Sequence, residues 1–301
     1  MKCFNCYSKS IIYLFSSTDF ISKKKFKIYR CKKCHIDFPI PRPSKIDKFY
    51  PKNYRDYNQL IKFIFNVFYK KKALSFIKLF KNNKKKTILE IGCGNGFLLK
   101  IFKLNGWKVF GTERKNSINY QNEIDLNIKD KKINDFENNF FDLILLNNSL
   151  EHLVDFRIVK NYLKKKLKKN GLLIINIPSV NSFQYQFGKG DWFHLDVPRH
   201  LQLFDDNFFF DYAKQNNLKI LNYKSTGLIW ELYGWFQTLN NKLFNNKNLF
   251  FKSLSDFYNN KISFLIGLFQ ILLLGPISLI LTIISFSVNK GAIKQFIIKK
   301  I

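Results

Sequence analysis

Four of the five cysteines fall in two C-x-x-C pairs, Cys3 with Cys6 and Cys31 with Cys34. Thiolates at this spacing are typical of a metal site in a reducing compartment rather than of disulfides. The β-rich stretch between the pairs has a polar turn in its middle, which predicts a hairpin joining two metal-binding knuckles. We therefore predict a zinc ribbon in residues 1–40 with a closed, structural Zn²⁺ site, and iron in the same cage is the alternative.

A glycine-rich turn between an apolar strand and a helix is the second chemical signal. It lies in residues 87–113, which read TILEIGCGNGFLLKIFKLNGWKVFGTE. Gly92, Gly94 and Gly96 let the backbone turn tightly and approach a ligand closely. A dinucleotide fingerprint would need its third glycine one position later, where this chain has phenylalanine. The second strand ends at Glu113, where the ribose hydroxyls of an adenosine ligand are expected.

With these motifs the sequence resembles the class I S-adenosylmethionine-dependent methyltransferases. Residues 140–155, FFDLILLNNSLEHLVD, look like the fourth strand of that family and its following loop, and residues 167–179 look like the fifth strand. Residues 187–221 resemble a subgroup with N-terminal zinc ribbons, which modifies quinone-like lipids, sugars or cell-surface glycan precursors. The likeness spans roughly residues 1–230 and is specific for cofactor and fold rather than for substrate.

The resemblance implies which residues bind S-adenosylmethionine. The cofactor loop would consist of Glu90, Gly92, Gly94, Asn95 and Gly96. Glu113 would accept hydrogen bonds from both ribose hydroxyls, since a carboxylate can accept two at once. Asp135 would bond the adenine amino group, and Asn147 would line the methionine end.

Three of the four histidines, His152, His194 and His200, then fall in loops after the fourth and fifth strands. Ligands bind at that edge of open α/β sheets, and histidine titrates near neutrality. Each is therefore a candidate general base, and a structural hydrogen bond is the alternative in each case. We expect Asp196 to orient one of them and Arg199 to meet a phosphate or carboxylate on the acceptor.

The resemblance and the histidines together predict the activity. Methyl transfer from a sulfonium has a neutral leaving group, so the enzyme mainly positions the acceptor, and an oxygen acceptor of high pKa also needs a base. We predict a methyltransferase for a small or lipid-linked acceptor, a glycan precursor or prenylated aromatic, acting at oxygen at the cytoplasmic membrane surface. The alternatives are methylation of a sugar carbon, an RNA or protein methyltransferase, and a non-catalytic module that keeps the fold.

The formal net charge of +30 indicates either an anionic partner or a compositional habit. Lys, Ile, Asn and Phe are abundant throughout, as an A/T-rich genome produces, and the basic residues form no stripe interleaved with aromatics. We therefore expect a small-molecule or lipid-linked partner rather than nucleic acid. No secretory signal is recognised, which predicts a cytoplasmic chain at the inner membrane, and nothing indicates its oligomeric state.

The predicted fold is a Rossmann-like α/β domain with a seven-stranded methyltransferase sheet. A zinc ribbon precedes it, and a hydrophobic helical hairpin is inserted before the last strand. The predicted boundaries are the ribbon at 1–40, a linker at 41–58, the methyltransferase domain at 59–245, the hairpin at 246–290 and the final strand at 291–301. The basic helix predicted at 59–86 either packs on this domain or rests on anionic lipid.

The hairpin prediction rests on the uncharged run FLIGLFQILLLGPISLILTIISFSV, residues 264–288. Residues 292–301, which follow it, have the pattern of a β-strand. If the run crossed the membrane once, these residues would lie on the opposite side from the sheet they are expected to join. Lysines flank both ends, and Gly275–Pro276 predicts a break into two short halves that dip into the inner leaflet. The alternatives are a buried helix pair, a dimer interface, or a true span without a seventh strand.

Overall fold

A computed structural model gives the architecture of the chain. It describes residues 1–43, 45–50, 59–80, 85–114, 126–154, 156–244, 248 and 261–301. Parts of the predicted linker, of the predicted 59–86 helix and of the predicted hairpin segment therefore lie outside the described residues. Contacts divide the chain into two compact units, and the predicted domain boundaries stay predictions. The first unit contains Met1–Tyr57, Pro178–Phe209 and Lys224–Lys294, and the second contains Asn58–Ile177, Phe210–Tyr223 and Gln295–Ile301.

The seven-stranded sheet confirms the predicted fold. Its strands are β4 (Thr87–Ile91), β5 (Lys108–Thr112), β6 (Ile128–Lys129), β7 (Phe141–Asn147), β8 (Leu167–Pro178), β10 (Leu218–Thr226) and β11 (Ile293–Lys300). They lie in the order β10-β11-β8-β7-β4-β5-β6, so the last strand sits between β10 and β8. The pairs β4/β5, β4/β7, β5/β6 and β7/β8 are parallel. The carboxyl ends of these parallel strands therefore share one edge, where the ligand of such a sheet binds.

Helices cover the faces of this sheet. They are α1 (Gln59–Ile77), α2 (Phe97–Leu104), α3 (Phe156–Lys166) and α5 (Asp206–Gln215). Every residue of β4 is buried, as expected for a parallel strand covered on both faces. Helix α1 packs against α2, with Ala73, Phe76 and Ile77 in the shared core. The packed interpretation of α1 is thus confirmed.

The first unit contains a four-stranded sheet at the N-terminus. Strands β1 (Ile11–Thr18), β2 (Lys25–Cys31) and β3 (Ile36–Ile40) are antiparallel, as the predicted ribbon requires. A short strand from far along the chain, β9 (Leu203–Phe204), pairs with β3. The short helix α4 (Phe183–Gly188) belongs to the same unit, and its Tyr185 hydroxyl donates to Asp37, which also binds Arg30. The ribbon thus shares its hydrogen bonds and core with the 178–209 segment.

Two helices, α6 (Leu228–Phe244) and α7 (Lys261–Ser287), lie between β10 and β11 and pack against each other. A helical insertion before the last strand is therefore confirmed, but the predicted break at Gly275–Pro276 is wrong, because α7 runs through both residues. Pro276 removes only its own N–H donor, and the hydroxyls of Ser278 and Thr282 donate to carbonyls one turn earlier at 2.7 Å. The hairpin is thus made of α6 and α7 rather than of two halves of one run.

Candidate active site

The glycine turn joins β4 to α2 at the carboxyl edge of the sheet. Gly92, Gly94 and Gly96 all have positive φ, at 70°, 53° and 72°, which L-residues rarely adopt. At position 92 a Cβ would lie 2.6 Å from Cβ of Ser149, so this glycine is also needed for packing. A Cβ at position 94 would meet no atom within 4 Å. The loop therefore leaves open space at Gly94, while Asn95 beside it is exposed.

Glu113 comes directly after β5 and is tied to the glycine turn. Its Oε2 accepts a hydrogen bond from the N–H of Gly94 at 2.8 Å, and its Oε1 accepts one from the N–H of Arg114 at 2.9 Å. The carboxylate is thus held beside the turn, as expected for a group that accepts hydrogen bonds from ribose hydroxyls.

Glu90, the fourth residue of β4, is a buried carboxylate with 3% exposure. Burial raises the pKa of Glu90 to about 8, an effect that Lys72 opposes and Glu113 reinforces. Within the described ranges, its Oε2 is buried without a hydrogen-bond partner. Such an oxygen is costly unless something donates to it, so Glu90 fits a ligand that brings a hydrogen-bond donor.

The last residue of β7 and the loop that follows it lie beside the glycine turn. Asn147 Oδ1 accepts hydrogen bonds from Lys72 Nζ at 2.5 Å and from Asn176 Nδ2 at 3.3 Å. Ser149 Oγ donates to the carbonyl of Ile91 at 2.6 Å, which holds this loop against the glycine turn. The role of Asn147 toward a cofactor stays a prediction, and Lys72, which contacts it, was not singled out by the sequence analysis.

Asp135, which the resemblance implies as an adenine contact, lies in a short turn after β6, and that contact stays a prediction. Its Oδ2 accepts a hydrogen bond from the N–H of Lys132 at 3.0 Å within a short turn. Asp130, which follows β6 directly, is an exposed carboxylate that the sequence analysis did not single out. The signal that could have found it is position, since the first polar residue after each parallel strand lies at the carboxyl edge.

The three candidate histidines fall in both units. His152 lies in the second unit, in a short turn after β7. Its backbone N–H donates to the carbonyl of Ser149 at 3.0 Å. His194 and His200 lie in the first unit and are both buried. The structure brings these two together, because His200 Nδ1 is 2.8 Å from the carbonyl oxygen of His194.

His194 and His200 differ in their surroundings. His194 packs against Trp192 and Phe193, and its Nε2 is 3.3 Å from the carbonyl oxygen of Trp230. Burial lowers the pKa of His194 to about 4, so this ring is neutral near pH 7. In His200 the nitrogen facing a carbonyl must carry the proton, so in the neutral ring the lone pair lies on Nε2. These contacts favour a structural role for His194 and leave His200 with an oriented basic nitrogen.

Arg199 does not have the substrate-facing role that we expected. It is fully buried, and its guanidinium donates to Asp19 and Asp196, each at 2.8 Å, and to the carbonyl of Phe49 at 3.0 Å. These partners all belong to the first unit. Arg199 and Asp196 are therefore parts of an internal ion-pair network, because a buried guanidinium needs partners for its charge and its N–H groups.

The four predicted cysteine ligands converge in the first unit. Cys3 Sγ lies 3.6 Å from Cys34 Sγ, Cys6 Sγ lies 3.5 Å from Cys31 Sγ, and all four sulfur atoms are within 4.8 Å of one another. Zn–S bonds of about 2.3 Å place the sulfur atoms of a tetrahedral site about 3.8 Å apart. The cluster therefore fits a four-thiolate metal site.

The second unit combines a Rossmann-like sheet, an acidic residue after its second central strand and a glycine turn with open space. This combination fits S-adenosylmethionine. These features define a class I S-adenosylmethionine-dependent methyltransferase. The family model described as a methyltransferase domain matches residues 65–223, more than half of the chain. The chain belongs to this methyltransferase family, and it is an S-adenosylmethionine-dependent enzyme.

Solved structures share the fold at low identity. A protein provisionally described as a sarcosine dimethylglycine methyltransferase from Galdieria sulphuraria is 15% identical, with a TM-score of 0.51, 78% of this chain covered and 86% of that one. A methyltransferase from Archaeoglobus fulgidus is 16% identical, with a TM-score of 0.46 and coverages of 78% and 94%. A cyclopropane synthase from Mycobacterium tuberculosis is 14% identical, with a TM-score of 0.48 and coverages of 76% and 83%. No curated protein matches the sequence.

Proposed function

We propose that this methyltransferase modifies an oxygen of a small or lipid-linked acceptor, a glycan precursor or prenylated aromatic, at the cytoplasmic surface of the inner membrane. A small methyl acceptor is typical of the family. The observation that carries the lipid-linked choice is the outward face of α7. Its segment Leu265–Ser287 has a mean hydropathy of 2.3 and is long and apolar enough to cross a membrane, yet only 28% of an 18-residue stretch of it is buried.

The exposed surface of α7 is large and continuous. Its most exposed side chains are Ile262, Leu265, Phe269, Leu272 and Ile283, each between 61% and 77% exposed. Water-soluble proteins rarely leave an apolar patch of this extent uncovered, and such patches mark contacts with a membrane or a partner. An uncharged stretch of 23 residues measures about 35 Å as a helix, comparable with a hydrocarbon core of about 30 Å.

The inward stripe of α7 has the opposite polarity. Its buried members recur every three or four residues and are mostly small or polar, namely Gly267, Gln270, Leu274, Ser278, Thr282 and Ser285. Gln270 Oε1 accepts from Asn240 Nδ2 at 2.5 Å, and Ser285 Oγ accepts from Trp235 Nε1 at 3.0 Å, both across to α6. A water-facing helix buries its apolar side, whereas small and polar contacts between apolar helices are typical of membrane proteins. This reversed pattern favours lipid as the cover.

The cofactor loop and its neighbours would hold S-adenosylmethionine in the second unit. Glu113 would accept hydrogen bonds from the ribose hydroxyls, Gly94 would allow close approach, and Asn147 would line the methionine end. When bound, the cofactor supplies an electrophilic methyl group. The protein's part is to position the acceptor oxygen and to exclude water, because the leaving group is neutral.

A general base would remove the proton of the acceptor hydroxyl. His152 is one candidate, because it lies near the carboxyl edge of the sheet in the same unit as the cofactor loop. His200 is another candidate, because its Nδ1 faces a carbonyl oxygen and so carries the proton of the neutral ring. His194 is the third, and its low pKa argues against it, because a base of pKa about 4 is weak near neutrality.

Zn²⁺ is the metal that we propose for the four cysteines. Four thiolates close the coordination sphere and leave no position for water or substrate, so the metal would stabilise the ribbon and take no part in the transfer.

The acceptor class can be tested with tritium-labelled S-adenosylmethionine and a membrane extract of the source cells. We expect label in the organic-extractable fraction, and protein that floats with anionic phospholipid vesicles. Label recovered in RNA or in protein would instead support the macromolecular alternatives. Label in a water-soluble sugar, without flotation, would remove the lipid-linked choice while leaving the enzyme class intact.

A further inference from the structure

The exposed charge of the ribbon is entirely positive. Residues 1–40 contain eight lysines, and all of them are exposed. The two acidic residues of this segment, Asp19 and Asp37, are fully buried. Asp19 pairs with Arg199 at 2.8 Å and Asp37 pairs with Arg30 at 2.6 Å, so both carboxylates are neutralised inside the first unit. The fold therefore leaves the lysines of the ribbon without an exposed carboxylate in residues 1–40.

A metal in the cysteine cluster would leave this positive charge in place. Zn²⁺ held by four thiolates carries a net charge of about −2, against eight ammonium groups. Cys3 and Cys31 are moreover fully buried, whereas the lysines face solvent. The ribbon thus presents a cationic surface whether or not the metal is bound.

Lysines and tyrosines share the outer face of the β1–β2 hairpin. Along β2, Phe26 is buried in the core of the unit, whereas Lys25 and Lys27 alternate with it and are exposed. Tyr29 continues the same alternation, and across the ladder it faces Tyr13 of β1. The two rings make an edge contact at 5.7 Å, and Tyr13 is 54% exposed. This outer face therefore combines ammonium groups with aromatic rings that carry a hydroxyl.

This combination fits the headgroup region of an anionic membrane. Each lysine close to an anionic bilayer strengthens binding about fivefold. Tyrosine is enriched at membrane interfaces, because its ring is apolar and its hydroxyl remains in contact with water. Cations and aromatic rings would also suit single-stranded nucleic acid. Lipid is favoured here because α7, with its exposed apolar face, belongs to the same compact unit as the ribbon.

We propose that the outer face of the ribbon hairpin, with Lys25, Lys27 and Tyr13, binds the anionic headgroups of the membrane that α7 contacts. This inference rests on the proposed function and adds a second contact to it. Helix α7 would supply apolar burial, and the ribbon would select a leaflet rich in anionic lipid. One weak membrane signal gives marginal, reversible binding, whereas two signals together anchor a protein stably.

The test measures binding of the full-length protein to two kinds of vesicle. One kind is phosphatidylcholine alone, and the other contains in addition about 30% phosphatidylglycerol. The double variant Lys25→Gln/Lys27→Gln should bind the anionic vesicles about 10- to 30-fold more weakly and the neutral vesicles within about twofold of the unmodified protein. Lys214→Gln/Lys219→Gln removes two exposed lysines of the second unit. This matched control should bind both kinds of vesicle as the unmodified protein does.

A measurement on the unmodified protein supports the test without any substitution. Its preference for anionic over neutral vesicles should decrease as salt is raised, because salt screens exposed charges. An equal affinity for both kinds of vesicle at low salt would overturn the ribbon contact. Both double variants should keep the circular dichroism of the unmodified protein, which shows that the ribbon is folded.

The outcomes separate the ribbon contact from the proposed membrane location. If the ribbon variant binds anionic vesicles as the unmodified protein does, the ribbon contact is overturned while the membrane location stands. An equal loss in the control variant would reduce the effect to net charge and would also overturn the inference. If the unmodified protein binds neither kind of vesicle, the membrane location and the ribbon contact both fail. If single-stranded poly(U) RNA displaces the protein from anionic vesicles and the ribbon variant no longer binds this RNA, the face belongs to nucleic acid and the lipid assignment is overturned.

Discussion

The carboxylate of Glu113 and the backbone N–H of Gly94 are hydrogen-bonded at 2.8 Å. This bond joins the end of β5 to the glycine turn after β4, so the two parts of the expected cofactor site hold each other in place.

Replacing Glu113 by Gln tests the ribose contact. The amide oxygen of Gln can still accept from Gly94, but the negative charge and one acceptor are lost. We expect the affinity for S-adenosylhomocysteine to fall about 10- to 100-fold, in line with one charged hydrogen bond. Calorimetry measures this, and 5′-methylthioadenosine should lose a similar factor, because it also contains the ribose. An unchanged affinity for both would exclude Glu113 from the site.

Gly92 and Gly94, two of the three glycines of the turn, should have different effects when changed to alanine. Gly92→Ala would put its Cβ 2.6 Å from Ser149 Cβ at a positive φ, so we expect a loss of about 2–4 kcal/mol in the free energy of unfolding. Gly94→Ala meets no atom, so it should cost only about 1 kcal/mol in that free energy but weaken cofactor binding by filling the open space. Urea unfolding and calorimetry separate the two effects, and a larger unfolding loss for Gly94→Ala would contradict this assignment.

His200→Ala should lower the methyl-transfer rate by a factor of about 10²–10⁴ if His200 is the base. The pH profile should lose its acidic limb, while the affinity for S-adenosylhomocysteine stays the same. His152→Ala is the parallel variant, and the larger loss of rate together with the changed profile identifies the base. A rate loss that is the same at every pH would indicate a structural role.

His194 predicts a loss of stability in acid. Its pKa is about 4 in the folded chain and about 6.5 when unfolded, so the unfolded state binds its proton first as the pH falls. The free energy of unfolding should therefore decrease between about pH 6.5 and pH 4, by up to about 3 kcal/mol. His194→Gln should flatten this part of the stability curve in urea unfolding. An unchanged slope in that variant would contradict the assignment.

If the outward face of α7 binds a membrane, a charged residue introduced on that face should abolish the binding. Leu272→Glu and Phe269→Glu each replace an apolar side chain, 77% and 70% exposed respectively, by a carboxylate. Moving a charged side chain into the hydrocarbon core of a membrane costs about 3 kcal/mol. We expect each variant to lose most of its flotation with anionic vesicles while keeping its affinity for S-adenosylhomocysteine. Leu104→Glu, at an exposed leucine in the other unit, is the matched control and should float normally. If both α7 variants float like the unmodified protein, lipid does not cover this face.

The features that depend on residue types at fixed spacings along the chain could be predicted from the sequence. The glycine turn, the acidic residue after the second central strand and the paired cysteines require particular backbone angles and ligand spacings, so residue types alone predict them. The seven-stranded sheet followed from the family resemblance, and the helical insertion before β11 followed from the uncharged run and the strand-like residues after it.

Which side chains far apart in the sequence contact each other is known only from the folded structure. Lys72 is one lysine among many in a basic helix, and nothing local marks it as the one facing Asn147, 75 residues away. Arg199 likewise has the right chemistry to bind an anionic acceptor. In the folded chain, however, its guanidinium pairs with Asp19, which is 180 residues away in the sequence. A proline inside a helix usually predicts a break, yet α7 continues through Pro276 because the helix loses only one backbone N–H donor there. Local rules fix backbone angles and periodicity, whereas the pairing of buried charges depends on contacts that form only when the whole chain has folded.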